Sequence, residues 1–518
     1  MLTPLLLAAG TVAAFALFLA LRRHADPAAE RVTVALKRHE AIALAADATL
    51  DLAGVDVTQW RAAATLWSDD EVVHSLHRDD LLDVLRPRLQ RWGLLTSWRV
   101  RFIGPHGTVL VGLGEYGDLI TFEVDPAVAP AAAPPPSLAP DELPGRLARG
   151  TAGSVWEEAR PTGEGHTLDR HGVADELTWW SVGADAIGLQ LGVRVREGAV
   201  REVVLDVDYT APDDAGSSSQ ARELLAESGS LLSAVLALVG GVSVLIFADL
   251  QEDWRYGAVL ACVLLAALLL VERRGLDETV VAAYDAGLSW RQTRVVAVLS
   301  AALSGVVMLT IVGLSAIAGA ALAQAEQVPL VASPDQQLAW GAFAAAAWLA
   351  AQTGAQALGR RGGWLRIAPE LSDDARRAGG HGWGQAISVS LQSAIGEETV
   401  FRLLGVGLLL WLTDASWVAI GLTSVLWAAA HVDPGLRPRW FRAAELTLVG
   451  IALGALLLYV GLLAVLLAHF AHNLVLLGAP LIAGRTDGSP MPSRGAGDPE
   501  AAPAQSEVGR ARYDATHA

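Results

Sequence analysis

The stretch Ile395-Gly-Glu-Glu-Thr-Val-Phe-Arg402 sets two carboxylates, Glu397 and Glu398, and one guanidinium inside a run that is otherwise apolar from residue 385 to residue 411. An ionised side chain deep in a membrane segment costs about 3 kcal/mol on insertion scales, so such groups are kept where they have a function. Glu398 and Arg402 stand four residues apart, acid first, which on a helix lets them neutralise each other. Glu397 lies about 100° further round the helix and is left free to act as a base. Two later apolar runs carry matching groups. Trp427-Ala-Ala-Ala-His431 ends just before the stop signal Asp433-Pro434, and His469-Phe-Ala-His-Asn473 places His469 and Asn473 on one helical face in mid-run. A free carboxylate, two imidazoles and an amide are the parts needed to activate a water and stabilise an oxyanion. Glu397, His431 and His469 also make a ligand set for zinc with an open fourth position, although the HExxH spacing on one helix is absent. The residues leave a divalent metal open. His472 points elsewhere on its helix and reads as structural.

Those residues need helices in a bilayer to hold them. The chain has 518 residues, 53% of them hydrophobic and 18% charged, against about 25% charged in soluble domains, so a membrane protein is expected. The net charge of −17 excludes a nucleic-acid partner, which needs a basic surface. The single cysteine, Cys262, excludes an intrachain disulfide and a multi-cysteine metal site. The fold expected is an all-α polytopic membrane helical bundle of about eight spans plus an N-terminal anchor, with a soluble α+β domain inserted after the anchor.

The anchor is residues 1–21, followed by Arg22 and Arg23. Residues 22–226 are the soluble domain. They read as helices to about residue 92, then as short alternating strands such as SWRVRFIG and DLITFEVDP. A proline-rich linker near residues 127–140 divides this domain into two halves that look like helix–strand repeats. Residues 228–358 hold the first membrane helices, residues 380–485 the core that carries the motifs, and residues 486–518 a disordered tail. Arginines fall in alternate loops, with Arg273, Arg274, Arg360, Arg361, Arg437 and Arg439 on one side of the bilayer and few on the other. Cytoplasmic loops collect basic residues, so the N-terminus is expected outside and the C-terminus in the cytoplasm.

The three motifs, EExxxR, an aromatic residue with His four positions on, and HxxxN, occur in this order in successive apolar runs and resemble the CPBP family. That family comprises CAAX prenyl endopeptidases and bacteriocin-processing or immunity (Abi-type) proteins. The resemblance covers residues 380–485 and departs at Trp427, where the second motif more often has Phe. It implies an intramembrane endopeptidase of the cell membrane that cuts a membrane-associated protein or peptide. Glu397 would activate the water with help from His431, His469 and Asn473 would stabilise the oxyanion, and Glu398 and Arg402 would support the first helix. Family members are described both as metalloproteases and as glutamate-dependent enzymes without a metal, so zinc on Glu397, His431 and His469 stays open here too. The other reading is a non-catalytic membrane protein that keeps the motifs, a scaffold, an immunity factor or a transporter using Glu397 as proton carrier.

Overall fold

Local sequence explains the first elements of the fold. In the computed structural model, helix α1 (Leu2–Ala25) is predominantly apolar as far as Leu21, before Arg22 and Arg23, and α2 (Arg38–Ala53) opens with the Glu40 carboxylate accepting the Lys37 N–H at 2.8 Å. Helix α2 closes at Gly54, whose φ of +66° suits a glycine C-cap. The structure describes residues 2–25, 36–79, 81–104, 107–114, 117–125, 128, 142–148, 155–168, 174–184, 187–196, 199–208, 235–247, 254–272, 290–330, 333–368, 371, 382–431 and 435–486. The linker near 127–140 (Val128 apart), the domain boundary at 226–228 and the tail after Thr486 lie outside these residues.

After α2 come β1 (Arg61–Trp67), α3 (Asp70–Arg78), α4 (Leu82–Arg91), β2 (Ser97–Gly104), β3 (Gly107–Leu113) and β4 (Leu119–Val124). Short helices α5 (Leu143–Leu147) and α6 (Val155–Glu158) lead to β5 (Arg160–Leu168), β6 (Ala174–Ala184), β7 (Ile187–Arg196) and β8 (Ala199–Asp208). The strands form one eight-stranded sheet in the order β1-β2-β3-β4-β8-β7-β6-β5, every neighbour antiparallel. It consists of two meanders joined through their last strands. Alternation selects the buried face: Trp98, Val100 and Phe102 of β2, Val109, Val111 and Leu113 of β3, and Leu189, Leu191 and Val193 of β7 are buried. Ala41, Ala45, Ala48 and Leu52 give α2 a stripe of small residues that joins the same core.

Two strands correct the sequence reading. β1 lies in the part expected to be helical, and β5 precedes the second set of expected strands. Arg-Ala-Ala-Ala-Thr-Leu-Trp has helical propensity, but it pairs in full register with β2, from Arg61 opposite Ile103 to Trp67 opposite Ser97. Tertiary pairing overrides propensity at this edge. β5, with Pro161 and two glycines, is likewise confined to the other edge.

Every apolar run read as a membrane span contains a helix. These are α7 (Gly241–Phe247, entered through a π-helical turn Leu236–Gly240), α8 (Trp254–Glu272), α9 (Trp290–Ala325) and α10 (Pro334–Arg361). Then follow α11 (Trp383–Glu397), a π-helix (Glu398–Val406), α12 (Gly407–Thr413), α13 (Ser416–Ala429), α14 (Arg439–Tyr459) and α15 (Leu462–Thr486). Among the described residues, three helical segments are long and apolar enough to cross a membrane: Leu5–Arg22, Gly305–Ala325 and Arg439–Tyr459. Shorter apolar segments such as Gly257–Leu268 and Ser416–Ala429 lie beside them. Leu299, Leu303 and Val306 of α9 are more than half exposed, as a lipid-facing surface would be.

Small residues let these helices approach one another. A Cβ on Gly319 of α9 would come within 3 Å of the Leu403 backbone in the π-helix. One on Gly450 of α14 would come within 3 Å of Ser424, and one on Gly454 within 3 Å of Ile420. Close backbone approach of this kind is how membrane helices gain packing energy without a hydrophobic driving force. Between the bundle helices, β9 (Arg366–Ile367) and β10 (Leu436–Arg437) form a two-stranded ribbon. Residues Met1–Gly484, sheet domain and helices together, are one compact unit.

Candidate active site

Glu397 ends α11, and its carboxylate is the centre of a cluster drawn from three separate helical stretches of the core. One turn earlier on the same helix, Ser393 donates its hydroxyl to Glu397 Oε1 at 2.6 Å. From α13, the Trp427 indole N–H donates to Oε2 at 2.7 Å. His431, just past the end of α13, places Nε2 at 3.1 Å from that oxygen. From α15, His469 Nε2 lies 3.9 Å from Oε2 and 3.2 Å from the Ser393 hydroxyl. Asn473, one turn further along α15, donates its amide to the Ser393 hydroxyl at 3.1 Å. The structure therefore gathers Glu397, His431, His469 and Asn473 at one place.

Each imidazole is oriented by its other nitrogen. His431 Nδ1 is 2.7 Å from the Trp427 carbonyl, so Nδ1–H donates there and Nε2 faces Glu397. A carboxylate and a bare nitrogen lone pair repel, so their 3.1 Å contact is favourable only with a proton between them, a coupled pair that holds one proton in common. His469 Nδ1 donates to Glu398 Oε1 at 2.5 Å, which turns its Nε2 towards Ser393 and Glu397. Ser393 has one proton and gives it to Glu397, so its contact with His469 is satisfied when Nε2 carries a proton.

Glu398 and Arg402 do form the expected ion pair, at 3.3 Å, but Glu398 is shared with His469. The run from Glu398 to Val406 is a π-helix, with i→i+5 bonds, so residues four apart no longer stack directly above each other. Arg402 reaches Glu398 through Nε, and its guanidinium carbon lies 4.0 Å above the Trp427 ring. This cation–π contact compensates a buried charge whose two Nη atoms have no hydrogen-bond partner among the described residues. The first helix is thus wider and less tightly wound at this point than an α-helical reading implies.

Exposure shows where the site opens. The side chains of Glu398, Arg402 and His469 are 0%, 1% and 3% exposed, those of Glu397 and His431 23% and 32%. Access comes from the His431 side, at the end of α13. His472 lies away from this opening, 2.7 Å from the Gln352 side-chain oxygen and stacked on Trp348 with ring centroids 3.6 Å apart. Its position agrees with a structural role.

Ser393, Trp348 and Gln352 are the residues that sequence reasoning missed, and of Trp427 it missed the indole N–H bond to Glu397. Ser393 was visible as a hydroxyl one helical turn before Glu397. Trp427 was read only as an aromatic position, yet an indole N–H in an apolar helix must find an acceptor. Gln352 was an amide in the middle of an apolar run and invited the same question. Among the described residues, no group of three His, Cys, Asp or Glu side chains that could hold a metal ion occurs.

Residues 380–475 match the family described as type II CAAX prenyl endopeptidase Rce1-like. Over 451 residues the chain is 29% identical to the sporulation-killing factor biosynthesis protein SkfC of Bacillus subtilis (strain 168), an alignment that spans 86% of this chain and 90% of that protein. No solved structure matches the chain.

Proposed function

We propose, from the premise that residues 380–475 belong to the Rce1-like family of type II CAAX prenyl endopeptidases, that this chain is an intramembrane endopeptidase acting on a membrane-associated protein or peptide. The observation that carries the reading is the Glu397 carboxylate facing Nε2 of both His431 and His469, at 3.1 and 3.9 Å, from three different helical stretches. Glu397 takes a proton from a water as the water oxygen adds to the scissile carbonyl carbon. His431, which shares a proton with Glu397, helps to place that water. His469 and the second amide N–H of Asn473 donate to the oxyanion of the tetrahedral intermediate. The proton gained from water then passes from the Glu397–His431 pair to the leaving nitrogen as the C–N bond breaks, giving a carboxylic acid and an amine and returning the pair to its one shared proton; the acid then ionises by giving its proton to the amine. Ser393 and Trp427 hold the carboxylate oxygens in place throughout.

Zinc, were it to bind, would have Glu397, His431 and His469 as its ligands, although as placed these three do not form a ready three-ligand group; no step above is routed through it. Chelation followed by assay separates the two cases: turnover persists if water activation belongs to Glu397 alone, and is lost and restored by added zinc if those residues hold a metal. The similar Bacillus subtilis protein is named for the biosynthesis of a sporulation-killing factor, which favours a substrate that belongs to the making of a factor of that kind. The bundle is proposed to have about eight spans besides the anchor, with the N-terminus outside and the C-terminus cytoplasmic. Reporter fusions after residue 438 are then cytoplasmic, and those after residue 330 exterior. The decisive experiment incubates purified, bilayer-reconstituted protein with a peptide library, wild type against Glu397→Gln. Cleavage by the wild type alone supports an endopeptidase. Equal cleavage by both removes Glu397 from the mechanism, and no cleavage by either favours the scaffold or transporter reading.

A further inference from the structure

Helix α3 of the sheet domain ends in carbonyls that its own chain neighbourhood satisfies only in part. A helix leaves its last four C=O groups without intrahelical partners. That of Ser75 is taken by the Asp79 N–H at 3.0 Å, and that of Leu76 by the Leu81 N–H at 3.0 Å. Those of His77 and Arg78 are both taken by one nitrogen, Nη1 of Arg437, with 3.1 Å to His77. A cation at the negative end of a helix is favourable in itself. Arg437 therefore acts as the C-cap of a helix some 360 residues away in sequence.

Arg437 belongs to β10, and β10 begins five residues after His431. The ribbon is held from two sides. On the bundle side Leu436 packs with Leu365 and Phe441. On the other side Ala368 and Leu371, which follow β9, are part of the core of the sheet domain. The Ala368 N–H donates to the Gly435 carbonyl at 2.7 Å, so the two attachments are tied to each other. The sheet domain thus grips Gly435 to Arg437, which follow His431 in the chain, and His431 is the residue that meets Glu397 at the end of α13.

We infer that Arg437 is a positioning residue for the protease site, and that the sheet domain sets activity by holding the ribbon that follows His431. This rests on the proposed endopeptidase reading. It differs from a tether, which would leave turnover independent of how the sheet domain is attached.

The test compares full-length wild type, Arg437→Ala, Arg437→Lys, Leu371→Ala and Arg88→Ala in bilayers. Arg88 of α4 pairs with Glu158 of α6 in the sheet domain, neither on α3 nor on the ribbon, and serves as the stability control. Two readouts are taken: kcat and KM on the best-cleaved library peptide, and hydrogen exchange at the amides of Ala430 and His431. Arg437→Ala is expected to lower kcat at least tenfold with KM within threefold, and to speed exchange at those two amides at least tenfold. Arg437→Lys recovers part of both, and Leu371→Ala, which loosens the grip from the opposite face, lowers kcat three- to tenfold. Arg88→Ala leaves both readouts within twofold. Unchanged exchange at Ala430 and His431 in Arg437→Ala overturns the inference, as does an equal loss in Arg88→Ala. If the wild type cleaves no peptide, the endopeptidase reading fails while the exchange readout still decides whether the sheet domain orders the His431 segment.

Discussion

In the sheet domain the indole N–H groups of Trp98 and Trp156 donate to the backbone carbonyls of Leu36 and Leu119, whereas in the helical core that of Trp427 donates to the Glu397 carboxylate. Ion pairs follow the same division. Arg88–Glu158 and Arg146–Asp51 lie partly exposed at the edge of the sheet domain, while Glu398 and Arg402 are buried at the centre of the helices. The cause is the solvent. Water rewards charges at a surface and makes their burial costly, so the sheet domain keeps an apolar interior around Trp92, Trp156, Phe102 and Phe122. A lipid surround rewards an apolar exterior and turns polar groups inward, where they must satisfy one another. A buried polar group is a packing device in the first region and a working part in the second.

The largest effect that sharpens this contrast belongs to Glu397→Gln. It should lower peptide turnover by about 10⁴-fold, the upper range for loss of a general base, with an unchanged melting temperature. A parallel loss of folded protein would mean that Glu397 is held for packing, as in the sheet domain.

Next is Glu398→Gln, which leaves Arg402 buried without its counter-charge and gives His469 a neutral amide oxygen in place of a charged acceptor. Breaking a buried pair costs about 3–5 kcal/mol. The matching change at the edge of the sheet domain, Glu158→Gln, should cost less than about 1 kcal/mol. Thermal unfolding of the two variants side by side checks the ratio; equal losses would erase the difference between the regions.

His77 gives the sheet domain its own titrating group. Burial, with the Arg437 charge beside it, pushes its pKa down to about 4 from 6.5. The unfolded chain takes up a proton below about pH 6.5 and the folded one only near 4, so stability is complete above 6.5 and is lost as the pH falls between the two. Between pH 7.5 and pH 5 the loss is about 2 kcal/mol. His77→Asn should remove that part of the pH dependence in chemical unfolding, and a slope equal to wild type would show that His77 is not its source.

The smallest effect is that of Trp427→Phe, which keeps the ring under Arg402 and removes only the N–H. Turnover should fall about tenfold, or about 1.4 kcal/mol in the barrier, with little change in KM. Trp98→Phe removes the equivalent bond in the sheet domain and should alter stability alone. If Trp427→Phe also alters only stability, the indole is packing and nothing more.

Much of this was legible in the chain itself because it depends on neighbours in sequence. The helical period places Glu398 near Arg402 and His469 near Asn473, alternation marks β2, β3 and β7, and apolar length marks the helices. β1 and β5 escaped because an edge strand is defined by the strand it pairs with, and their own composition argues against them. Ser393 was within reach, since it needs only the turn that carries Glu397.

What the sequence by itself determined is the inventory of chemical groups and the local geometry that one helix or strand imposes on them. Tertiary structure alone decided which groups meet: that the Trp427 indole holds Glu397, that Glu398 is divided between Arg402 and His469, and that Arg437 caps α3. The reason is physical. Contacts within an element follow from fixed rise and rotation per residue, whereas contacts between elements depend on how closely backbones approach and at what rotation they pack. At this site those were set by glycines such as Gly319 and by a π-helical turn that no short-range pattern announces.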